Sequence, residues 1–453
     1  MPRSIGFTTR RRRFASFGRG ILITLLAAFW LITAFPGTAH AYLDPGTGNL
    51  IVYMAVSLAA ALLYFCKNFF YGLKARLTGR AKQARRPEMR DDLVIFTEGK
   101  IYWPTFKPIV EALLARGFPF RYLSLDLEDP GLAVEHDLMR SRYIGEGSAA
   151  FARAAAARAL VMLETTPNIG TPGYPMPRPR HVQCLAHVLH GVGGVGLYYK
   201  NALDTCQAVF LMGGEDHDSI RLLEKKRGLP AKECVSAGLP YLDTLARAVK
   251  PRRDLADPPT ILVAPSWGEK NSLGQYGTDF LFWLLEAGCQ VIVRPHPFSL
   301  KVEAPLVEAL RGRLAPFPQA GLDLEVDAAA SLNRADIMIS DKSGVRFDFA
   351  FLRERPVITL DMPVQNRKHF EIDELDYVWE DEMGAELGPV LSLESFRALD
   401  AAAFLALVKE TLRAEPSRIA AIRDRSLANF GRSGEFIADW LIEKCRALAP
   451  AGN

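Results

Sequence analysis

Cysteine is scarce in this 453-residue chain, at six residues, and none pairs in a CxxC motif or stands at metal-like spacing from another ligand. Several of the six (Cys66, Cys184, Cys206, Cys234, Cys289, Cys445) sit within apolar runs, as buried thiols do, so no disulfide framework organises the fold. The glycines of 191–196 do not make a GxGxxG in a strand–helix setting, which argues against a nicotinamide cofactor. A Walker lysine motif is also lacking, so a P-loop nucleotide site is not expected. There is no internal repeat and no low-complexity segment. Positive charge is equally sparse where it would matter for nucleic acid. The net charge is +4, but residues 1–90 hold 14 Lys/Arg against 2 Asp/Glu, which leaves the body at −8. A mildly acidic body excludes nucleic acid as the expected partner.

What is present begins with two nearly uncharged runs, 20–35 and 49–65, each slightly short of the ~20 residues that span a bilayer. Arg10 to Arg13 and Arg19 precede the first, and Lys67, Lys74, Arg76 and further basic residues follow the second. Positive-inside logic predicts a hairpin with both basic flanks in the cytoplasm. Ala39-His40-Ala41 also fits a cleavable signal peptide ending at Ala41, which would leave 49–65 as a single span. Both readings put the body on the cytoplasmic side of the inner membrane. The expected division is a membrane region over 1–66, a basic juxtamembrane linker over 67–91, and two domains over 92–250 and 257–448.

The body alternates short apolar runs with helical patterns. LVIF (93–96), FRYLSL (120–125), ALVML (159–163), VQCLAHVLH (182–190), AVFLM (208–212) and CVSAG (234–238) predict strands of a first α/β series. The charged, Pro-containing stretch 249–259 reads as a linker. TILVAP (260–265), CQVIVRPHP (289–297), LDLEV (322–326), IMIS (337–340) and VITL (357–360) predict a second series, and helical patterns dominate after Leu391. The fold class is therefore α/β, two Rossmann-like domains facing across a cleft and preceded by a membrane segment.

Four polar clusters close predicted strands: His187 to Gly191, Ser266 to Asn271, Arg294 to Pro297, and Ser340 to Gly344. Each has a plain structural alternative. A histidine at a strand end is commonly a hydrogen-bonded structural residue, Arg294 could be a surface cation, and Ser343 a helix N-cap. His187 and His190, three apart, lie on opposite faces of a strand, which disfavours a zinc pair; on a helix the spacing would permit one. Glu215-Asp216-His217-Asp218 reads as the acidic first turn of a helix rather than a metal site. The strand–turn–helix–strand unit over 335–361 places Ser343 and Gly344 where a helix dipole and unpaired N–H groups favour an anion.

In their order these residues resemble the CDP-glycerol glycerophosphotransferase family, known from teichoic acid polymerases and primases. The resemblance runs from about Cys184 to Asp361. It is carried by His190-Gly191, by Gly238, Pro240 and Asp243, by Ala264-Pro265-Ser266-Trp267, by Arg294 to Pro297, and by Ser340, Asp341, Ser343, Gly344, Asp348 and Phe349. It implies a GT-B-like fold and transfer of a glycerol phosphate or related polyol phosphate from CDP-glycerol or a similar CDP-polyol donor. The acceptor would be a hydroxyl on a lipid-linked or glycan partner. His190 would be the base, and Arg294 and His296 would meet the donor pyrophosphate. Gly191, Ser266, Trp267, Ser340, Asp341, Ser343, Gly344 and Asp348 would complete the donor site, with no metal and no cofactor. Where relatives often carry an arginine after the tryptophan, this chain has Gly268, Glu269 and Lys270, so that phosphate contact is either lost or supplied by Lys270. The alternatives are a GT-B glycosyltransferase using a nucleotide sugar and a membrane-tethered scaffold without turnover.

Overall fold

Parallel strands buried on both faces demand continuous apolar runs rather than alternating ones, and that is how the strand-forming segments of this chain pair. In the computed structural model, which describes residues 90–450 apart from 253, 269, 270, 326, 363–366, 376 and 377, they form two all-parallel sheets. The first contains β1 (Asp91–Thr97), β2 (Phe120–Ser124), β3 (Met139–Tyr143), β4 (Arg158–Glu164), β5 (His181–Val188), β6 (Ala208–Leu211) and β7 (Glu233–Ser236), in the order β3-β2-β1-β4-β5-β6-β7. The second contains β8 (Thr260–Ala264), β9 (Gln290–Val293), β10 (Ala320–Leu322), β11 (Ile337–Ser340), β12 (Val357–Leu360) and β13 (Val390–Leu391), in the order β10-β9-β8-β11-β12-β13. Both orders are doubly wound, and each reverses between its first and fourth strands, where α/β sheets open a crevice at the carboxyl ends.

Strand β1 shows why the runs are continuous. Leu93 and Ile95 face one apolar cluster, shared with Phe106 and Ile109 of the helix Trp103–Ala115. Val94 and Phe96 face another, shared with Met162, Leu185 and Val209. Sequence periodicity misses β3, because MRSRY is an edge strand with mixed polarity, and β13, which is only two residues long. The strand expected over 322–326 lies instead at Ala320–Leu322.

The helix Ser433–Leu448 leaves the second half and packs on the first. Its Ile437, Ala438, Leu441 and Ile442 are buried in the cluster that holds Leu93 and Phe106. Each such aliphatic burial is worth about 1.5–3 kcal/mol for the larger side chains. Asp243 fixes the helix start by accepting from Gly431 N–H and Ser433 N–H, both at 2.7 Å. A Cβ at Gly434 would lie 2.4 Å from Pro108 Cβ, so the close helix approach needs glycine. Gly238 sits at φ +85°, and a Cβ there would meet the Ala428 carbonyl at 2.1 Å. Two members of the Gly-Pro-Asp pattern thus hold the crossover together.

The two apolar runs before residue 66, with the hairpin and signal-peptide expectations, lie outside the described residues, as do Glu269 and Lys270. Among the described residues no helix is long and apolar enough to cross a membrane.

Candidate functional site

The carboxyl ends of the two sheets meet. In the first sheet, β4 and β5 pair Glu164 with His187 in register, so their side chains share a face. His187 is fully buried; its Nδ1 lies 3.1 Å from Glu164 Oε1 and its Nε2 3.0 Å from the Tyr198 hydroxyl. Both ring nitrogens are therefore engaged within the protein.

His190 lies three residues on, beyond the strand. Its Nδ1 is 3.1 Å from Thr165 Oγ1, and that hydroxyl donates its one proton to the Val188 carbonyl at 2.7 Å. Thr165 can then only accept from the ring, which places the imidazole proton on Nδ1 and leaves a lone pair on Nε2. Tyr102 meets the ring edge-on at 5.1 Å between centroids. Burial, helped by the neighbouring His187, pushes the His190 imidazole down to about 4 and keeps it neutral at physiological pH. A cleft of about 190 Å³ opens beside it, lined by His190, Gly191, Val192, Gly194, Tyr198 and Glu380.

The second sheet turns at its switch point between β8 and β11. Ser340 pairs with Ala264, so the loops after both strands emerge side by side. Asp341 is buried there and joins them: it accepts from Ser266 N–H at 3.0 Å, Ser266 Oγ at 2.8 Å and Ser343 N–H at 3.2 Å. Ser340 Oγ donates to the Ala264 carbonyl at 2.6 Å. Ser340 and Asp341 thus shape the turn. The helix Val345–Arg353 follows with Gly344 as its N-cap and no side-chain cap, so Ser343 does not cap it. A Cβ on Gly344 would lie 3.3 Å from the Val192 carbonyl, which sets this helix start directly against the His190–Gly191 loop.

After β9, Arg294 pairs with Asp323 at 2.5 Å. His296 Nδ1 accepts from Phe298 N–H at 3.1 Å, so its proton sits on Nε2. Burial, opposed by Asp341 and Glu303, holds its pKa below the ordinary imidazole value. Trp267 stacks on Phe298 at 5.1 Å and flanks His296 at 6.2 Å. Asp348 is buried and accepts from the Tyr241 hydroxyl of the first half at 2.5 Å; its other oxygen has no partner, and burial pushes its carboxyl up to about 7. The structure therefore gathers His190, Gly191, Ser343 and Gly344 along one seam. Ser266, Trp267, Asp341 and His296 form a corner of the second half, while Arg294 and Asp348 are held by partners of their own.

Two carboxyl groups brace the glycine loop, Glu380, which sequence reasoning missed, and Asp216, which it read as part of a helix first turn. Gly194 N–H donates to Glu380 Oε1 at 2.6 Å, and Val195 N–H to Asp216 Oδ1 at 3.2 Å. Both are buried, each keeps one oxygen without a partner, and burial raises both, Asp216 to about 7. Asp216 is thus more than part of an acidic first turn. Its helix starts at His217, and its carboxylate reaches back to the loop. Thr165 and Tyr102 were missed as well. Glu164-Thr165-Thr166, a polar group directly after a predicted strand, was the available signal.

No protein-family model matches this chain, and no curated protein does either. Solved structures match the fold. The wall teichoic acid polymerase TagF, in a variant soaked with CDPG, has a TM-score of 0.52 at 16% identity, covering 86% of this chain and 98% of that one. TagF without substitution gives 0.52 at 16%, over 87% and 99%. A UDP-GlcNAc 2-epimerase from Methanocaldococcus jannaschii gives 0.51 at 14%, over 78% and 99%. The two parallel sheets, their strand orders and these matches make the fold GT-B-like.

Proposed function

We propose that this chain transfers a polyol phosphate, glycerol phosphate foremost, from a CDP-activated donor to a hydroxyl acceptor in the making of a cell-surface polymer. The observation that carries the reading is the opposite tautomers of two histidines at strand ends of opposing sheets. His190 offers an Nε2 lone pair; His296 offers an Nε2–H. The acceptor oxygen attacks the donor's β-phosphorus and its proton passes to His190 Nε2. The bond from that phosphorus to the bridging oxygen breaks, and CMP leaves with the electron pair. His296 Nε2–H donates to the charge that gathers on the leaving phosphate. The dianionic pyrophosphate raises the His190 pKa once bound, bringing the base closer to its task. The uncapped start of Val345–Arg353 supplies N–H groups and dipole to the same charge.

Support beyond the site comes from the TagF likeness in fold, one member of which was soaked with CDPG, and from the motif resemblance over Cys184 to Asp361. The basic, apolar start of the chain favours attachment to the inner membrane with the body on its cytoplasmic side, and an acceptor that is lipid-linked. Purified full chain would be supplied in turn with CDP-glycerol, CDP-ribitol and UDP-sugars, and nucleotide release followed by chromatography. CMP release with a CDP-polyol, lost in His190→Asn, is the expected result. Nucleotide release from UDP-sugars alone would replace this reading with a glycosyltransferase.

A further inference from the structure

Large apolar side chains exposed singly are normal on any protein, and only their clustering carries information. Among the described residues eleven large hydrophobic side chains are exposed, and eight of them stand in the loops and short helical turns that follow strand carboxyl ends. In the first half Ile101 follows β1 at 74% exposed and Leu127 follows β2 at 70%, with Leu197 and Tyr199 after β5. In the second half Trp267 follows β8 at 49%, and Phe298 at 52% and Val302 at 57% follow β9 together with Leu300. Both halves therefore expose apolar tips on the face where the site lies, and the strand amino ends show no such concentration among the described residues.

We infer that this face docks on a lipid bilayer surface, the loop tips of both halves entering the headgroup boundary beside the site. The composition fits that medium. Trp267 and Phe298 are stacked aromatic tips, and Lys301 lies 6.0 Å over the Phe298 ring, so a cation stands next to the apolar tip, as in interfacial segments that meet anionic lipid. The tips sit on separate loops around an opening that must admit a donor. A stable second copy would need a continuous patch of roughly 800 Å² per partner, whereas these tips come from five separate strand ends. The chain also carries two apolar runs with basic flanks before the body. The 25 residues between the second run and β1 reach at most about 90 Å when extended. The inference deepens the transferase reading by naming where the acceptor is met, and rests on that reading only for the acceptor's chemistry.

The test uses the full chain reconstituted in phosphatidylcholine–phosphatidylglycerol vesicles whose acyl chains carry bromine, a short-range quencher of tryptophan emission. Trp267→Phe is expected to remove a lipid-quenched component present in the wild type. Phe298→Ser with Val302→Ser, which keeps Trp267, should give the same loss, with circular dichroism confirming the fold. Equal quenching in wild type and Trp267→Phe overturns the inference, and that arm stands even if the double variant fails to fold. A dimer in detergent that the double variant dissolves would assign the face to a second copy and also overturn it. CMP release from CDP-glycerol is measured in parallel: its absence with the quenching difference intact sinks the transferase reading alone.

Discussion

The two histidines sit at matching places, each at the carboxyl end of a strand, yet the protein fixes them by different means. His190 is held by a side chain just beyond the neighbouring strand, the Thr165 hydroxyl, and its ring proton is drawn inward. His296 is held by its own local backbone, through Phe298 N–H, and its ring proton is turned outward. A ring nitrogen takes the role that its opposite nitrogen leaves it. The difference teaches that a free lone pair and a free N–H can be presented by one residue type by choosing what stands behind each ring.

The comparison breaks most visibly on the base side. His190→Asn should lower kcat roughly 10³-fold with little change in donor binding, because it removes the proposed general base and keeps most of the volume. Single-turnover CMP release combined with equilibrium donor binding would separate the two quantities. His296→Ala should cost about 10²-fold or more in kcat, the scale of removing a donor from developing charge, read with the same assay. A smaller effect follows from Thr165→Val, which deletes the acceptor for Nδ1–H and frees the wrong tautomer. A loss of about tenfold is expected, with recovery in Thr165→Ser; a valine variant at full activity would show that the tautomer is set elsewhere.

The pH dependence sharpens the same contrast. In the proposed reaction His190 must be unprotonated to act, and burial depresses its pKa to about 4. The acid limb of kcat/KM, which reports the free enzyme, should therefore lie well below pH 6.5, leaving a plateau from about pH 8 down to about pH 5. Least in size is the effect on stability. Asp348 is raised to about 7 by burial, so the folded state keeps a proton that the unfolded chain releases near 4. Its contribution to stability is present below that unfolded value and is lost as pH rises through about 7. Asp348→Asn, neutral throughout, should flatten the fall in Tm between pH 5 and 8; a slope equal to wild type would assign the proton to another group such as Asp216.

Much of this was legible in the residues and some was not, for reasons of chemistry. Buried parallel strands advertise themselves as apolar runs, so LVIF, TILVAP and IMIS mark β1, β8 and β11. His190, Arg294, His296 and Ser343 were visible because strand ends of α/β sheets are where polar clusters collect. Thr165 carried no pattern: its role depends on where Val188 and His190 lie across the sheet, a relation of register and not of spacing. Ser340 and Asp341 looked like ligand contacts, but their side chains turn inward, which only the pairing of β8 with β11 reveals. The helix Trp379–Leu387, with Glu380 on the glycine loop, is acid-rich and gave no apolar stripe to read.

The crossing of the last helix has a practical consequence for anyone who would take the protein apart. Ser433–Leu448 completes the apolar layer under β1, about 170 residues after the linker. Dividing the gene at that linker would yield a first half with an open seam and a second half with a stray amphipathic tail. Rejoining Ser433–Leu448 to the end of the first half through a short glycine-rich connection is the division that respects how the chain is folded.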